Sequence, residues 1–139
     1  DIILNTTQNV TIDAGKGDDI ITNDTYNPNV SINGGDGKDF IENSSATVTV
    51  DGGAGNDTIK TNSGYVTIRG GAGNDSLVNV SYQNYVSMFG GAGNDTITNA
   101  SSQVTIDGGA DADRIINSAT NTTIYGGAGN DTILILREL

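Results

Sequence analysis

The sequence predicts an all-β solenoid, a parallel β-roll of two sheets with about 18 residues per coil and seven coils. Three observations lead there. A hexapeptide of the form GG-x-G-x-D recurs with starts at residues 14, 34, 52, 70, 90, 108 and 126, so successive copies lie 18 or 20 residues apart. Aliphatic side chains recur at fixed distances from the closing Asp of each copy. No helical period or helix cap competes with this beat. A constant period of this size marks a repeat protein in which each unit packs only on its neighbours.

The coil from Gly52 to Arg69 serves as the reference. Its first half is a turn, Gly52-Gly53-Ala54-Gly55-Asn56-Asp57, followed by a short strand, Thr58-Ile59-Lys60. Its second half is another turn, Thr61-Asn62-Ser63-Gly64-Tyr65, followed by the strand Val66-Thr67-Ile68-Arg69. Apolar and polar residues alternate in both strands, the signature of a strand with one buried face. Two places after each closing Asp stand Ile21, Ile41, Ile59, Leu77, Ile97, Ile115 and Ile133. Two places before each loop stand Ile12, Ile32, Val50, Ile68, Met88, Ile106 and Ile124, and four places before it Val10, Val30, Val48, Val66, Val86, Val104 and Thr122. These columns are the expected core, each aliphatic contributing about 1.5–3 kcal/mol when fully buried. The two longer steps come from extra residues in the second turn, at 23–29 and 79–85, which leave the strand register intact.

Asp1-Ile2-Ile3-Leu4-Asn5 matches Asp19-Ile20-Ile21-Thr22-Asn23, so residues 1–139 are expected to form a single β-roll domain cut from a longer array. At the other end Ile133-Leu134-Ile135-Leu136 replaces the polar pattern. Both a cap and a surface for end-to-end association are open readings of that segment.

Composition excludes several classes. A net charge of −11 cannot neutralise phosphates, which argues against a nucleic-acid partner. No apolar run is long enough to span a bilayer, and no signal-peptide pattern opens the chain. Cys and His are both absent, removing disulfides, thiolate ligands and the commonest general base. An acidic, Gly-rich chain with few aromatics also has the composition of a disordered segment, the expected state without metal.

The loops point to a hard dication, which takes six to eight oxygen ligands at about 2.3–2.6 Å. Glycine lets the backbone adopt positive φ and turn its carbonyls inward. The closing residues Asp19, Asp39, Asp57, Asp75, Asp95, Asp113 and Asp131 each add a carboxylate. Coils stacked about 4.8 Å apart would let each site draw on two successive turns. The second turns have Val where the first have Asp, so only one edge of the roll is expected to carry metal. The opposite edge carries Asn5, Asn23, Asn43, Asn79, Asn99 and Asn117, with Thr61 as the exception, a column suited to an amide ladder that needs no ion.

Units such as GGAGND-T-I and GGDGKD-F-I resemble the RTX, or hemolysin-type, calcium-binding nonapeptide GGxGxDxUx. The resemblance covers nearly the whole chain. It implies a right-handed β-roll with calcium between successive loops, bacterial export through type I secretion machinery, and a secreted or cell-surface location. It also implies ligands from the carbonyls of the first four loop positions, besides the Asp side chains. Those positions are Gly15 and Gly17 in the first loop, Gly34, Gly35, Asp36 and Gly37 in the second, and Gly52, Gly53, Ala54 and Gly55 in the third. The fourth loop has Gly70, Gly71, Ala72 and Gly73, and the fifth Gly90, Gly91, Ala92 and Gly93. The sixth has Gly108, Gly109, Ala110 and Asp111, and the seventh Gly126, Gly127, Ala128 and Gly129.

Three departures matter. Alternate nonapeptides are degenerate, which halves the sites. Ala14 replaces a first Gly, and Asp111 replaces a fourth Gly where positive φ is expected, so the sites touching that sixth loop are expected to be weaker. Seven loops enclose six gaps, hence about six calcium ions in one row, with Asp1 a candidate for a further partial site.

The leading functional expectation is a non-catalytic calcium-binding module that folds on binding. A second is carbohydrate or other ligand binding on the same scaffold, through Tyr26, Tyr65, Tyr82 and Tyr85 on the metal-free edge, as an adhesin module or the accessory repeat domain of a polysaccharide-acting enzyme. Catalysis by this chain itself is not expected, because the six basic residues are scattered and the regular Asp residues are accounted for as ligands. Ala54, Ala72, Ala92 and Ala128 stand where an ice-binding relative carries Thr, which argues against ice.

Overall fold

A computed structural model describes residues 1–24, 28–82 and 84–136. Strands follow one another along the chain: β1 (Ile2–Asn5), β2 (Val10–Lys16), β3 (Ile20–Asn23), β4 (Val30–Asp36), β5 (Phe40–Asn43), β6 (Val48–Ala54), β7 (Thr58–Thr61) and β8 (Val66–Ala72). They continue as β9 (Ser76–Asn79), β10 (Val86–Ala92), β11 (Thr96–Asn99), β12 (Val104–Ala110), β13 (Arg114–Asn117), β14 (Thr122–Ala128) and β15 (Thr132–Ile135). Odd-numbered strands form one sheet in the order β1-β3-β5-β7-β9-β11-β13-β15, and even-numbered strands the other, β2 through β14. Every pairing is parallel and joins a residue to its equivalent one coil away, as in Ile59↔Leu77 and Val50↔Ile68. The expected solenoid is therefore present, with β1 adding a half coil before the first complete one.

The sheets differ in strand length. The odd strands have four residues and the even strands seven, because the even ladder runs on into the glycine loop. Pairing steps from Asp51↔Arg69 to Gly53↔Gly71 and Ala54↔Ala72, passing over Gly52 and Gly70. The sequence places the whole hexapeptide in a turn; in the structure its first half belongs to the strand.

Ile21, Ile41, Ile59, Leu77, Ile97 and Ile115 from one sheet face Ile32, Val50, Ile68, Met88 and Ile106 from the other, all essentially without solvent contact. In the last coil this closure is lost: Ile124 is half-buried and Ile133, Leu134, Ile135 and Leu136 are exposed.

The edge opposite the glycine loops is held by side-chain amides. Asn5 Nδ2 donates to Asn23 Oδ1 (2.8 Å), Asn23 to Asn43 (2.7 Å), Asn79 to Asn99 (2.8 Å) and Asn99 to Asn117 (2.8 Å). Thr61 takes over one rung, its Oγ1 accepting from Asn43 Nδ2 at 3.2 Å. Each turn then reverses through a left-handed residue: Asn9, Asn29, Thr47, Tyr65, Tyr85, Gln103 and Asn121 all have φ between 54° and 69°. Asn adopts that region readily, whereas Thr and Tyr do so at a cost.

Candidate metal centre

Two features of the glycine loops are set by close approach of backbone to backbone. Gly53 and Gly55 have φ of 106° and 131°, and a Cβ on either would strike the carbonyl of Gly35 or Gly37 in the preceding coil. The first Gly does something else. A Cβ on Gly52 would lie 2.5 Å from both Asp57 Oδ2 and the carbonyl oxygen of Gly70. Glycine there keeps open a space that a carboxylate oxygen and the next coil's backbone share. The same arrangement recurs at Gly34, Gly70, Gly90 and Gly108.

The closing Asp residues form one row, and their two oxygens have different fates. Oδ1 accepts the backbone N–H of the equivalent Asp in the preceding coil. The distance is 2.8 Å from Asp19 to Asp39, Asp39 to Asp57, Asp57 to Asp75, Asp75 to Asp95 and Asp95 to Asp113, and 3.0 Å from Asp113 to Asp131. Asp19 Oδ1 instead accepts from the N-terminal ammonium of Asp1. Oδ2 is buried without a hydrogen-bond partner in Asp19, Asp39, Asp57, Asp75, Asp95 and Asp113. Asp131, with no following coil over it, is half-buried.

Burial pushes five of these carboxyls up, those of Asp39, Asp57, Asp75, Asp95 and Asp113. Asp57 is raised to about 6 and Asp95 to about 7, both chiefly by desolvation, and neighbouring carboxylates add to the rise. Asp39, Asp75 and Asp113 are raised by the same leading cause, opposed by the backbone N–H that each accepts. A dehydrated acceptor without a donor is unfavourable by about 1–3 kcal/mol, more if charged. Six such oxygens in line constitute a place for cations or protons.

The donor chemistry narrows the choice. Among the described residues no three His, Cys, Asp or Glu side chains converge, so a cation here draws most of its ligands from backbone oxygen. All-oxygen ligation suits calcium-like hard ions and excludes soft-metal sites. The carbonyls singled out from the sequence are not equivalent. Those of Asp36, Ala54, Ala72 and Ala92 already accept the N–H of Gly17, Gly37, Gly55 and Gly73 at 2.7–2.8 Å. The first-position carbonyls of Gly52, Gly70, Gly90, Gly108 and Gly126 each border the same small space as an Asp Oδ2 of the preceding coil.

Asp111 occupies the left-handed conformation that its place required, with φ of 76°. The bond from Gly93 N–H to Ala110 carbonyl lengthens to 3.3 Å, against 2.7–2.8 Å at the equivalent bonds of earlier loops.

One set of residues was given no structural role by the sequence analysis. Asn56 Oδ1 accepts the N–H of Asn74, and Asn74 Oδ1 that of Asn94, both at 2.8 Å; Asn94 Oδ1 accepts that of Ala112 at 3.0 Å. These acceptors lean toward the following coil while the Asp carboxylates lean toward the preceding one. The recurrence of Asn at the fifth loop position was the available signal.

The Tyr residues lie on the other edge. Tyr65 and Tyr85 stack with ring centroids 5.1 Å apart and planes at 28°. Tyr82 is fully exposed, and Tyr26 lies outside the described residues. A concavity of about 610 Å³ between Asn117 and Thr122, Ile124, Ile135 and Leu136 carries no charged side chain and is the open end of the core.

Fold and site together define a repeat solenoid with one edge lined by buried, unpartnered carboxylate oxygens. The chain belongs to the RTX calcium-binding nonapeptide repeat family, whose model matches more than half of it, at residues 1–25, 29–45, 51–78, 87–100 and 116–134, as four copies. No curated protein and no solved structure matches it. Among the described residues no helix is long and apolar enough to cross a membrane.

Proposed function

We propose that this chain is a non-catalytic calcium-dependent folding module of a secreted or cell-surface protein, with one row of about six ions between successive glycine loops. The observation that carries this reading is the set of buried, partnerless Oδ2 atoms, one for each loop that has another coil stacked after it. In this assignment Asp19, Asp39, Asp57, Asp75, Asp95 and Asp113 hold the ions through Oδ2, and first-position glycine carbonyls of the following coil complete the sites. Asp131 serves mainly to hold the N–H of Asp113. Bound calcium supplies the positive charge that lets the buried carboxylates remain ionised.

The residues explain why folding should follow the ion. Without a cation the row combines desolvated acceptors with like charges one coil apart, and the chain carries −11 overall. Six dications bring the total close to neutral. Binding free energy is then folding free energy. Extracellular modules bind calcium at about 10⁻⁴–10⁻³ M, far above cytosolic levels, so the chain would stay unfolded before export and fold outside.

A calcium titration followed by far-ultraviolet circular dichroism, with calorimetric stoichiometry, tests the proposal. The expected result is a cooperative gain of β-structure with about six ions bound. A chain already rich in β-structure in chelator, or one binding a single ion, refutes it.

A further inference from the structure

The seven turns on the edge opposite the carboxylate row have a composition unlike the rest of the chain. Residues 5–9, 23–29, 43–47, 61–65, 79–85, 99–103 and 117–121 contain one charged residue, Asp24, although the chain has 23 charged residues. What they carry instead is Asn, Gln, Ser, Thr and four of the five Tyr. Stacking like residues at coil spacing disfavours like charges, which accounts for the missing carboxylates. It does not account for the tyrosines.

Tyr65 and Tyr85 hold a left-handed backbone, φ 56° and 66°, where four of the other coils use Asn or Gln at lower or similar strain. The two residues are 60% and 56% exposed despite stacking on each other. A stacking contact of this kind covers one face of each ring, and more than half of each residue's surface remains open. Tyr82, in the same turn as Tyr85, has its whole ring in water. Backbone strain combined with exposed aromatic surface is a combination that folding alone does not select.

We propose that this edge binds a neutral polysaccharide, with Tyr82 and the Tyr65–Tyr85 pair as stacking surfaces and the flanking amides and hydroxyls, including Asn62, Asn84 and Gln103, as hydrogen-bond partners. The charge pattern selects this occupant. A sugar chain without carboxylates or sulfates needs no counter-charge and offers C–H faces to aromatic rings and hydroxyls to amides. An anionic polymer would meet Asp24 and no cation on the same turns. Tyr, Ser and Asn are also the residues that supply rigid contact area and adaptable hydrogen bonds in recognition loops. The proposal requires the coils to be folded but does not depend on which oxygens hold calcium.

Affinity electrophoresis of the full chain in calcium, through gels containing a neutral β-glucan, a galactomannan, or the anionic polymers alginate and pectate, tests it. The expected outcome is retardation by at least one neutral polymer and not by the anionic ones. Tyr82→Ala should weaken that retardation by about two- to tenfold, the scale of one lost aromatic contact. Tyr85→Asn, which suits the left-handed backbone, should weaken it with an unchanged circular dichroism spectrum and calcium midpoint. No retardation by either neutral polymer overturns the proposal, as does equal retardation of parent and both variants, or stronger retardation by alginate. A normal calcium titration alongside any of these results leaves the metal assignment standing.

Discussion

Replacing alternate members of the carboxylate row by asparagine should convert a metal-requiring edge into one that holds itself together. In Asp39, Asp75 and Asp113, Oδ1 already accepts a backbone N–H from the preceding coil, a bond that an Asn carbonyl oxygen can keep. Oδ2 has no partner and shares a small space with the carbonyl oxygen of Gly52, Gly90 or Gly126 in the next coil. An Asn NH₂ placed there becomes a donor facing an acceptor, which is how the opposite edge is already built. Removing a buried unsatisfied acceptor relieves about 1–3 kcal/mol, and the new bond adds about 0.5–1.5 kcal/mol. Taking about 2–3 kcal/mol per site, three sites yield about 6–9 kcal/mol, comparable with the whole stability of a typical domain. The chosen residues lie two coils apart, about 10 Å, so their effects should nearly add. The triple variant Asp39→Asn, Asp75→Asn, Asp113→Asn is expected to show β-structure and a cooperative melt in EDTA, and to bind about three fewer calcium ions by calorimetry. A variant as unfolded in EDTA as the parent, or one with undiminished ion count, refutes the role assigned to Oδ2.

Three further outcomes follow from the same structure. In EDTA, acidification from pH 8 to 5 should increase β-structure by circular dichroism: Asp57 and Asp95 have folded values of about 6 and 7 against 3.8 when unfolded, so the folded chain binds more protons. Stability is therefore fully present below about pH 4 and lost as pH rises through 6–7, with calcium affinity moving the opposite way. Asp111→Gly should raise the melting temperature in calcium and lower the calcium midpoint, because it relieves about 1 kcal/mol of left-handed strain and lets the Gly93–Ala110 bond shorten. Ile68→Ala, at a fully buried position, should cost about 2–5 kcal/mol and shift the calcium titration to higher concentration without changing the number of ions.

Much of the molecule was legible because a solenoid is nearly one-dimensional: each residue's environment is set by its equivalents one coil away. Ile59, Leu77 and Ile97 share a column in the sequence and a ladder in space. The Asn ladder through Asn79, Asn99 and Asn117 was readable for the same reason, as was the left-handed conformation of Asp111. Strand ends were less legible. Gly53 and Ala54 look like turn residues, yet the parallel ladder continues through them because glycine lets the backbones approach.

By itself, then, the sequence determined the architecture, the interior columns and the edge on which acidic side chains gather, since all three are properties of a repeat. What only the tertiary structure decided is how each carboxylate divides its two oxygens, one hydrogen-bonded backward to an amide and one left bare beside the next coil's carbonyl. It also decided that Tyr65 and Tyr85 touch. Both depend on rotamers and on the closeness of adjacent coils, and periodicity carries no information about either.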